Sequence, residues 1–156
     1  LLQIAVTLHA CGKFISMKNS NECGYTLIMS TEIIGLSHLE REIIANVVRY
    51  NIRDFDYDMM QLETEAGQDL AGVSDRTAIT ILIAKLTAIL RLANSMDKTH
   101  KAKLIDSRMA VRDGRLVITT GYQGDLALES ASFEQKAAFF EEIFGIRPVL
   151  KQKRRV

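Results

Sequence analysis

Arg76-Thr77-Ala78-Ile79-Thr80-Ile81-Leu82-Ile83-Ala84-Lys85-Leu86-Thr87-Ala88-Ile89-Leu90-Arg91-Leu92-Ala93-Asn94-Ser95-Met96-Asp97 decides the fold. Ile79, Leu82, Ile83, Leu86, Leu90 and Ala93 recur at the three- and four-residue spacings that align side chains on one helix face. Ala78, Ile81, Ala88, Ile89 and Leu92 widen that stripe beyond an ordinary amphipathic face. A helix apolar on most sides belongs at the centre of a bundle. The stretch therefore predicts a central helix over 76–97, capped by Ser74 or Asp75, with Lys85 and Arg91 projecting where packing leaves a gap.

Upstream, the pattern stays helical. Leu1, Leu2, Ile4, Ala5 and Leu8 predict a first helix stopped by Gly12, and a second short helix is expected over 23–29 with Gly35 in the turn after it. Ser37 and Glu40 have capping-box spacing, in which a hydroxyl and a carboxylate satisfy helix N–H groups reciprocally. They predict a third helix over 39–50 with Ile43, Ile44, Val47 and Val48 inward. Between 54 and 75 lie seven acids and no Lys or Arg, without the glycine and closing Glu of a calcium loop. A solvated face is expected there, with a short helix near 59–65 and an irregular connection around Gly67 and Gly72.

Downstream of Lys103 the character changes. Residues 109–112 and 115–120 predict strands joined by Asp113-Gly114, the signal of a tight hairpin, and a third short strand is expected over 126–129. Ser132 and Gln135 repeat the capping-box spacing before a helix carrying Phe133, Ala137, Phe140 and Ile143 inward, ended by Gly145. Pro148 restricts the last strand, 146–151, to an edge or a strand beginning. The expected architecture is mainly α: a helical bundle over 1–104 followed by a small α+β subdomain over 105–156.

Composition limits the function classes. The chain has 156 residues, 47% hydrophobic and 25% charged, enough for one core or a helical domain with a small attachment. Twenty Lys and Arg against 19 Asp and Glu leave a net charge of +1, so the whole molecule makes no case for specific nucleic-acid binding. Cys11 and Cys23 are too few for a disulfide scaffold or a four-ligand zinc site and read as reduced thiols in a cytoplasm. The apolar run 1–8 lacks a preceding basic region and falls short of the ~20 residues that span a membrane. It reads as a helix whose start was cut away, so a fragment of a longer protein is expected.

Phosphate-binding loops, dinucleotide glycine motifs and nucleophile elbows are absent from the sequence. Of the three histidines, His9 stands among apolar residues and His38 within a cap. His100 lies in Lys98-Thr99-His100-Lys101-Ala102-Lys103, where cations near a helix C-terminus complement its dipole and attract phosphates. Such cations are also favourable at a helix end with no ligand, and local charge does not choose between the two. Lys98, His100, Lys101 and Lys103 are the phosphate-facing candidates, with Lys85 and Arg91 weaker ones, only under the resemblance that follows. The run 151–155 is a positive patch with no aromatic stacking platform around it and reads as a solvated tail.

Leu8-His9-Ala10-Cys11-Gly12-Lys13-Phe14, Gly24-Tyr25-Thr26-Leu27-Ile28, Val47-Val48-Arg49-Tyr50-Asn51, residues 90–100 and Phe139-Phe140-Glu141-Glu142-Ile143-Phe144-Gly145 follow one another in an order that carries a resemblance. The chain resembles the C-terminal HD-like region of the exopolyphosphatase and guanosine pentaphosphate phosphohydrolase family over essentially its whole length. Carried onto this sequence, the family's His-Asp pair becomes His9-Ala10. Its later histidine positions hold Cys23 and Asn51, and its Leu-Ala-Asp aspartate is Asn94. Ala10 cannot ligate a metal, and Asn94 offers a neutral carbonyl in place of an anion.

The resemblance thus implies a non-catalytic region with no cofactor of its own. It implies a parent enzyme whose magnesium-assisted site lies in an upstream actin-like domain, and a role here in binding polyphosphate, arranging domains or dimerising. The alternatives are a divergent metal-dependent phosphohydrolase acting on a nucleotide or phosphate ester, with its metal near His9 and an altered site of His9, Cys23 and a residue upstream of Leu1, and an interaction module that binds no phosphate.

Overall fold

The structure is a computed structural model, and it describes residues 1–57 and 73–153, with side chains in the long helix from residue 76 onward. In chain order the described elements are α1 (Leu2–Leu8), a 3-10 turn (Cys11–Phe14), α2 (Ser20–Ser30), α3 (His38–Tyr50), α4 (Val73–Met96), β1 (Arg108–Arg112), β2 (Arg115–Thr120), α5 (Ala127–Phe144) and β3 (Arg147–Gln152). The chain is mainly α with a small α+β subdomain. It forms two compact units, Leu1–Leu90 and Arg91–Val156, so the division falls within α4. The helix expected over 59–65 and the connection around Gly67 lie outside the described residues.

In the first unit α3 is the element buried on nearly every side. Every residue from Glu42 to Val48 is buried, and Ile43, Ile44, Val47 and Val48 meet Ala5, Tyr25, Ile28, Ile79, Ile83 and Leu90 in one cluster. Its start is fixed locally: the Ser37 hydroxyl accepts from the Glu40 N–H at 3.2 Å, and the Glu40 carboxylate accepts from the Ser37 N–H at 2.9 Å. At its other end Arg49 lies 4.9 Å over the Tyr25 ring and pairs with Glu22 of α2, which Arg53 also reaches at 3.0 Å. Burial disfavours the charged form of Glu22, but the two guanidiniums outweigh it and hold the carboxyl below its usual range.

Three sequence expectations are corrected here. Gly12 does not stop α1, which ends at Leu8; it lies buried inside the 3-10 turn. The central position belongs to α3 and not to α4, whose Ile81, Leu82 and Ala93 are exposed. Its buried stripe runs through Ile79, Ile83, Thr87 and Leu90, so a fully buried threonine holds a stripe position that a count of apolar residues passes over. Finally, α4 begins at Val73, ahead of Ser74 and Asp75, which occupy its first turn and not its cap. The stretch Arg76–Met96 is long and apolar enough to cross a membrane by length and composition, yet Ile83, Ala84 and Ala88 are core residues.

In the second unit β1 and β2 form the expected hairpin, with Arg112 opposite Arg115 and both turn residues at positive φ, Asp113 at 50° and Gly114 at 69°. That is the type I′ geometry whose twist matches the strands. Leu126–Glu129 is not a strand: α5 starts at Ala127, and Ser132 and Gln135 lie inside it. Asp125 Oδ1 accepts from the Ala127 N–H at 2.8 Å and occupies the helix start, and Leu126, Glu129, Phe133, Ala137 and Phe140 then fall inward at helical spacing. Gly145 ends the helix at φ 69°, its N–H bonded to the Glu141 carbonyl. As the connection between parallel strands, α5 brings β3 beside β2 at the sheet edge, where Pro148 is tolerated.

Candidate anion-binding cleft

The ends of β1, β2 and β3 converge with the segment that precedes β1. Asp97 Oδ1 accepts from the Ala102 N–H at 2.9 Å, and His100 and Ala102 adopt left-handed φ of 53° and 50°, so the chain turns tightly after α4. The turn sends Lys103 inward. Its Nζ donates to the Asp125 carbonyl at 2.9 Å and to Glu129 Oε2 at 3.1 Å. Glu129 is fully buried in the first turn of α5 and also accepts from the Thr99 hydroxyl. That hydrogen bond, acting against burial and joined by Lys103, holds the Glu129 carboxyl at about 2.

A cleft of about 430 Å³ opens beside this pair, lined by Lys103, Asp106, Arg108, Thr119, Thr120, Gly121, Tyr122 and Lys153. Register explains the grouping: Arg108 stands opposite Thr119, and the parallel pairing of Thr120 with Gln152 delivers Lys153 to the same end. The Lys153 main chain is held from both sides, its N–H on the Thr120 carbonyl at 2.9 Å and its carbonyl on Gln123 Nε2 at 2.8 Å. Gln152 Nε2 bonds the Tyr122 and Gly124 carbonyls and braces the loop that follows β2. A side chain at Gly124 would meet the Tyr122 phenol at 2.6 Å, so the glycine lets that ring lie across the loop.

With Lys103 committed to Glu129, the cleft charge rests on Arg108 and Lys153 against Asp106. Two cations, two threonine hydroxyls and a phenol can hold an oxyanion by charge-assisted hydrogen bonds. The two units also differ in charge. The first has 7 Lys and Arg against 11 Asp and Glu, net −4, and the second 13 against 8, net +5. The small overall charge conceals a basic C-terminal unit.

Of the phosphate-facing candidates, Lys103 alone lines this cleft, as a half of an ion pair with its side chain 13% exposed. Lys98 and Lys101 are exposed, and the exposed His100 ring lies 3.9 Å from Asp97. Lys85 is exposed on α4, whereas Arg91 is buried with its guanidinium 4.6 Å over the Phe139 ring. Packing on an aromatic face takes Arg91 away from the surface role proposed for it. Arg108, Thr119, Thr120 and Tyr122 were missed by sequence reasoning; Lys153 was visible only as part of a basic tail.

None of the positions compared with metal ligands is among the residues that line this cleft. His9 Nδ1 donates to the Val6 carbonyl at 2.6 Å, and Ala10 precedes the 3-10 turn. Cys23 is a half-buried free thiol in α2, Asn51 is buried at the end of α3, and Asn94 is half-buried on the second-unit part of α4. Burial pushes the Cys11 thiol up, against its backbone hydrogen bonds, away from a reactive thiolate. Among the described residues no three His, Cys, Asp or Glu side chains cluster as a metal site.

The family model that matches the chain is "Ppx/GppA phosphatase, domain III", over residues 1–136. No curated protein matches it. A domain of that description implies other domains in the parent protein.

Proposed function

The chain belongs to the Ppx/GppA phosphatase family, and from that premise we propose that it is a non-catalytic accessory domain that holds polyphosphate for a catalytic domain elsewhere in its parent. The observation that carries this reading is the cleft in which Arg108 and Lys153 face one space with Thr119 and Thr120. A phosphate chain needs this combination of charge and hydroxyl donors, and needs no base or nucleophile from the residues that merely hold it. Lys98, His100 and Lys101 serve in this account as outer contacts.

The first unit is a scaffold of HD-like descent. Replacement of the His-Asp acid by Ala10 and of the later aspartate by Asn94 removes two anionic ligands from the positions the family uses. Hydrolysis then belongs to an upstream actin-like domain with its magnesium, in a cytoplasmic enzyme, and domain arrangement or dimerisation remains a second task of the helices.

Arg108→Glu combined with Lys153→Glu tests the cleft. Polyphosphate affinity, measured by titration calorimetry at low salt, is expected to fall roughly ten-fold or more, since each reversal removes a charge-assisted contact and adds repulsion. Lys85→Glu is expected to change it little. Equal affinities in the double variant and the parent chain would move the site elsewhere.

A further inference from the structure

Beyond the cleft, which takes in Arg108 and Thr119 at one end, the sheet has an outward face that runs on across all three strands. Along β2, Ile118 and Thr120 are buried, so by strand alternation Arg115, Val117 and Thr119 point the other way. Register extends that outward face over three strands as three rows. One row is Arg108, Thr119 and Lys151; the next is Ala110, Val117 and Val149; the third is Arg112, Arg115 and Arg147. The first and third are cationic and the middle one is apolar. No Asp or Glu occurs in any of the strands.

Arg108, Ala110, Arg112, Arg115 and Lys151 are exposed, and Val117 and Val149 are half-buried. Arg147 is tied to Glu134 and Glu141 of α5, which leaves Arg112 and Arg115 as the available cations of the third row. Adjacent rows are two residues apart, about 6.6–6.8 Å, which sets the cationic rows about 13 Å apart. That matches a helix of about 10–12 Å diameter with its apolar stripe on the middle row and carboxylates on either flank.

We propose that this face docks an acidic amphipathic helix of a partner protein. The charge pattern selects that occupant. A bare phosphate chain would have no use for the apolar row, and nucleic-acid bases would want aromatic stacking groups that the rows lack. A second copy pairing through β1 in antiparallel register would place Arg108 against Arg112, like charge against like. Three strands about 4.8 Å apart give a footprint of about two helical turns, so the contact is small and transient.

The test uses the whole chain and a synthetic helical peptide with a leucine stripe flanked by glutamates, beside a scrambled peptide of identical composition and short-chain inorganic polyphosphate. Amide NMR shifts at Ala110, Val117 and Val149 report the middle row. The striped peptide is expected to shift them and to bind at least ten-fold more tightly than the scrambled one. Val117→Asp, and separately Arg112→Glu with Arg115→Glu, are expected to weaken it at least ten-fold, with Val117→Thr and circular dichroism controlling for folding.

Equal binding of both peptides would overturn the proposal, as would shifts confined to other residues. Polyphosphate that shifts the middle row and is indifferent to Val117→Asp would make the face a phosphate track. Sedimentation showing a dimer of the free chain that Arg112→Glu with Arg115→Glu dissolves would make the occupant a second copy. Either result would also overturn it.

Discussion

Gly12→Ala is expected to destabilise the first unit by about 3 kcal/mol or more, the largest effect of a methyl addition at any of the described glycines. A Cβ at Gly12 would lie 1.9 Å from the Ser20 carbonyl oxygen and 2.5 Å from the Gly24 nitrogen. Both are backbone atoms of α2, so no side-chain rotation relieves the clash, and the 3-10 turn or the helix must shift as a whole. Gly12 also anchors that turn, its carbonyl accepting from the Ile15 and Ser16 N–H groups. Gly24→Ala is the internal comparison: its Cβ meets a side-chain atom, Val48 Cγ1, at 3.0 Å, and about 1 kcal/mol is expected. Urea unfolding followed by circular dichroism checks both. A Gly12→Ala midpoint equal to that of the parent chain would refute the close approach of the turn to α2.

Replacement of Glu129 by alanine is expected to cost about 2–4 kcal/mol at neutral pH, because Lys103 and the Thr99 hydroxyl lose their common buried acceptor. The acid dependence gives a sharper check. The folded-state carboxyl titrates at about 2, below the usual 4.5. A depressed carboxylate contributes stability that is fully present above the unfolded value and is lost as pH falls through the folded one. The parent chain should therefore lose stability between about pH 4.5 and 2 through this group, while Glu129→Ala, already without it, should show a flatter profile over that window. Chemical unfolding at pH 7 and pH 3 measures the difference. Parallel profiles would show that Glu129 is not held as described.

Local signals proved legible in the sequence. Ser37 and Glu40 lie three residues apart and cap each other without help from the rest of the chain, and Asp113-Gly114 supplies the two positive φ values of its turn. Where the sequence misled, a competing local partner or a burial effect decided. The Asp125 carboxylate accepts from the Ala127 N–H and α5 starts there, well ahead of Ser132, so 126–129, expected as a short strand, holds the first turn of a helix. Thr87 takes a fully buried place in α4, and Arg91, read as a surface cation, buries itself on Phe139.

The cleft was harder to foresee for a different reason. Its residues are scattered from 103 to 153 and meet through the antiparallel register of β1 with β2 together with the parallel register of β2 with β3, the second of which nothing within a single segment announces. Lys103 was picked out for its position near the end of a long helix and does reach the cleft, but as the partner of a carboxylate 26 residues away. The charge division between the units was present in the sequence throughout and became visible once the unit boundary was known.

The most direct test of the central claim is a titration of the intact chain with polyphosphate and magnesium in which bound polymer and released orthophosphate are measured in the same samples at two salt concentrations. Binding that weakens as salt rises, through release of counterions from the chain of phosphates, with no orthophosphate above the level of a protein-free control, is the predicted result. Orthophosphate release that copurifies with the chain and is abolished by His9→Ala would contradict it.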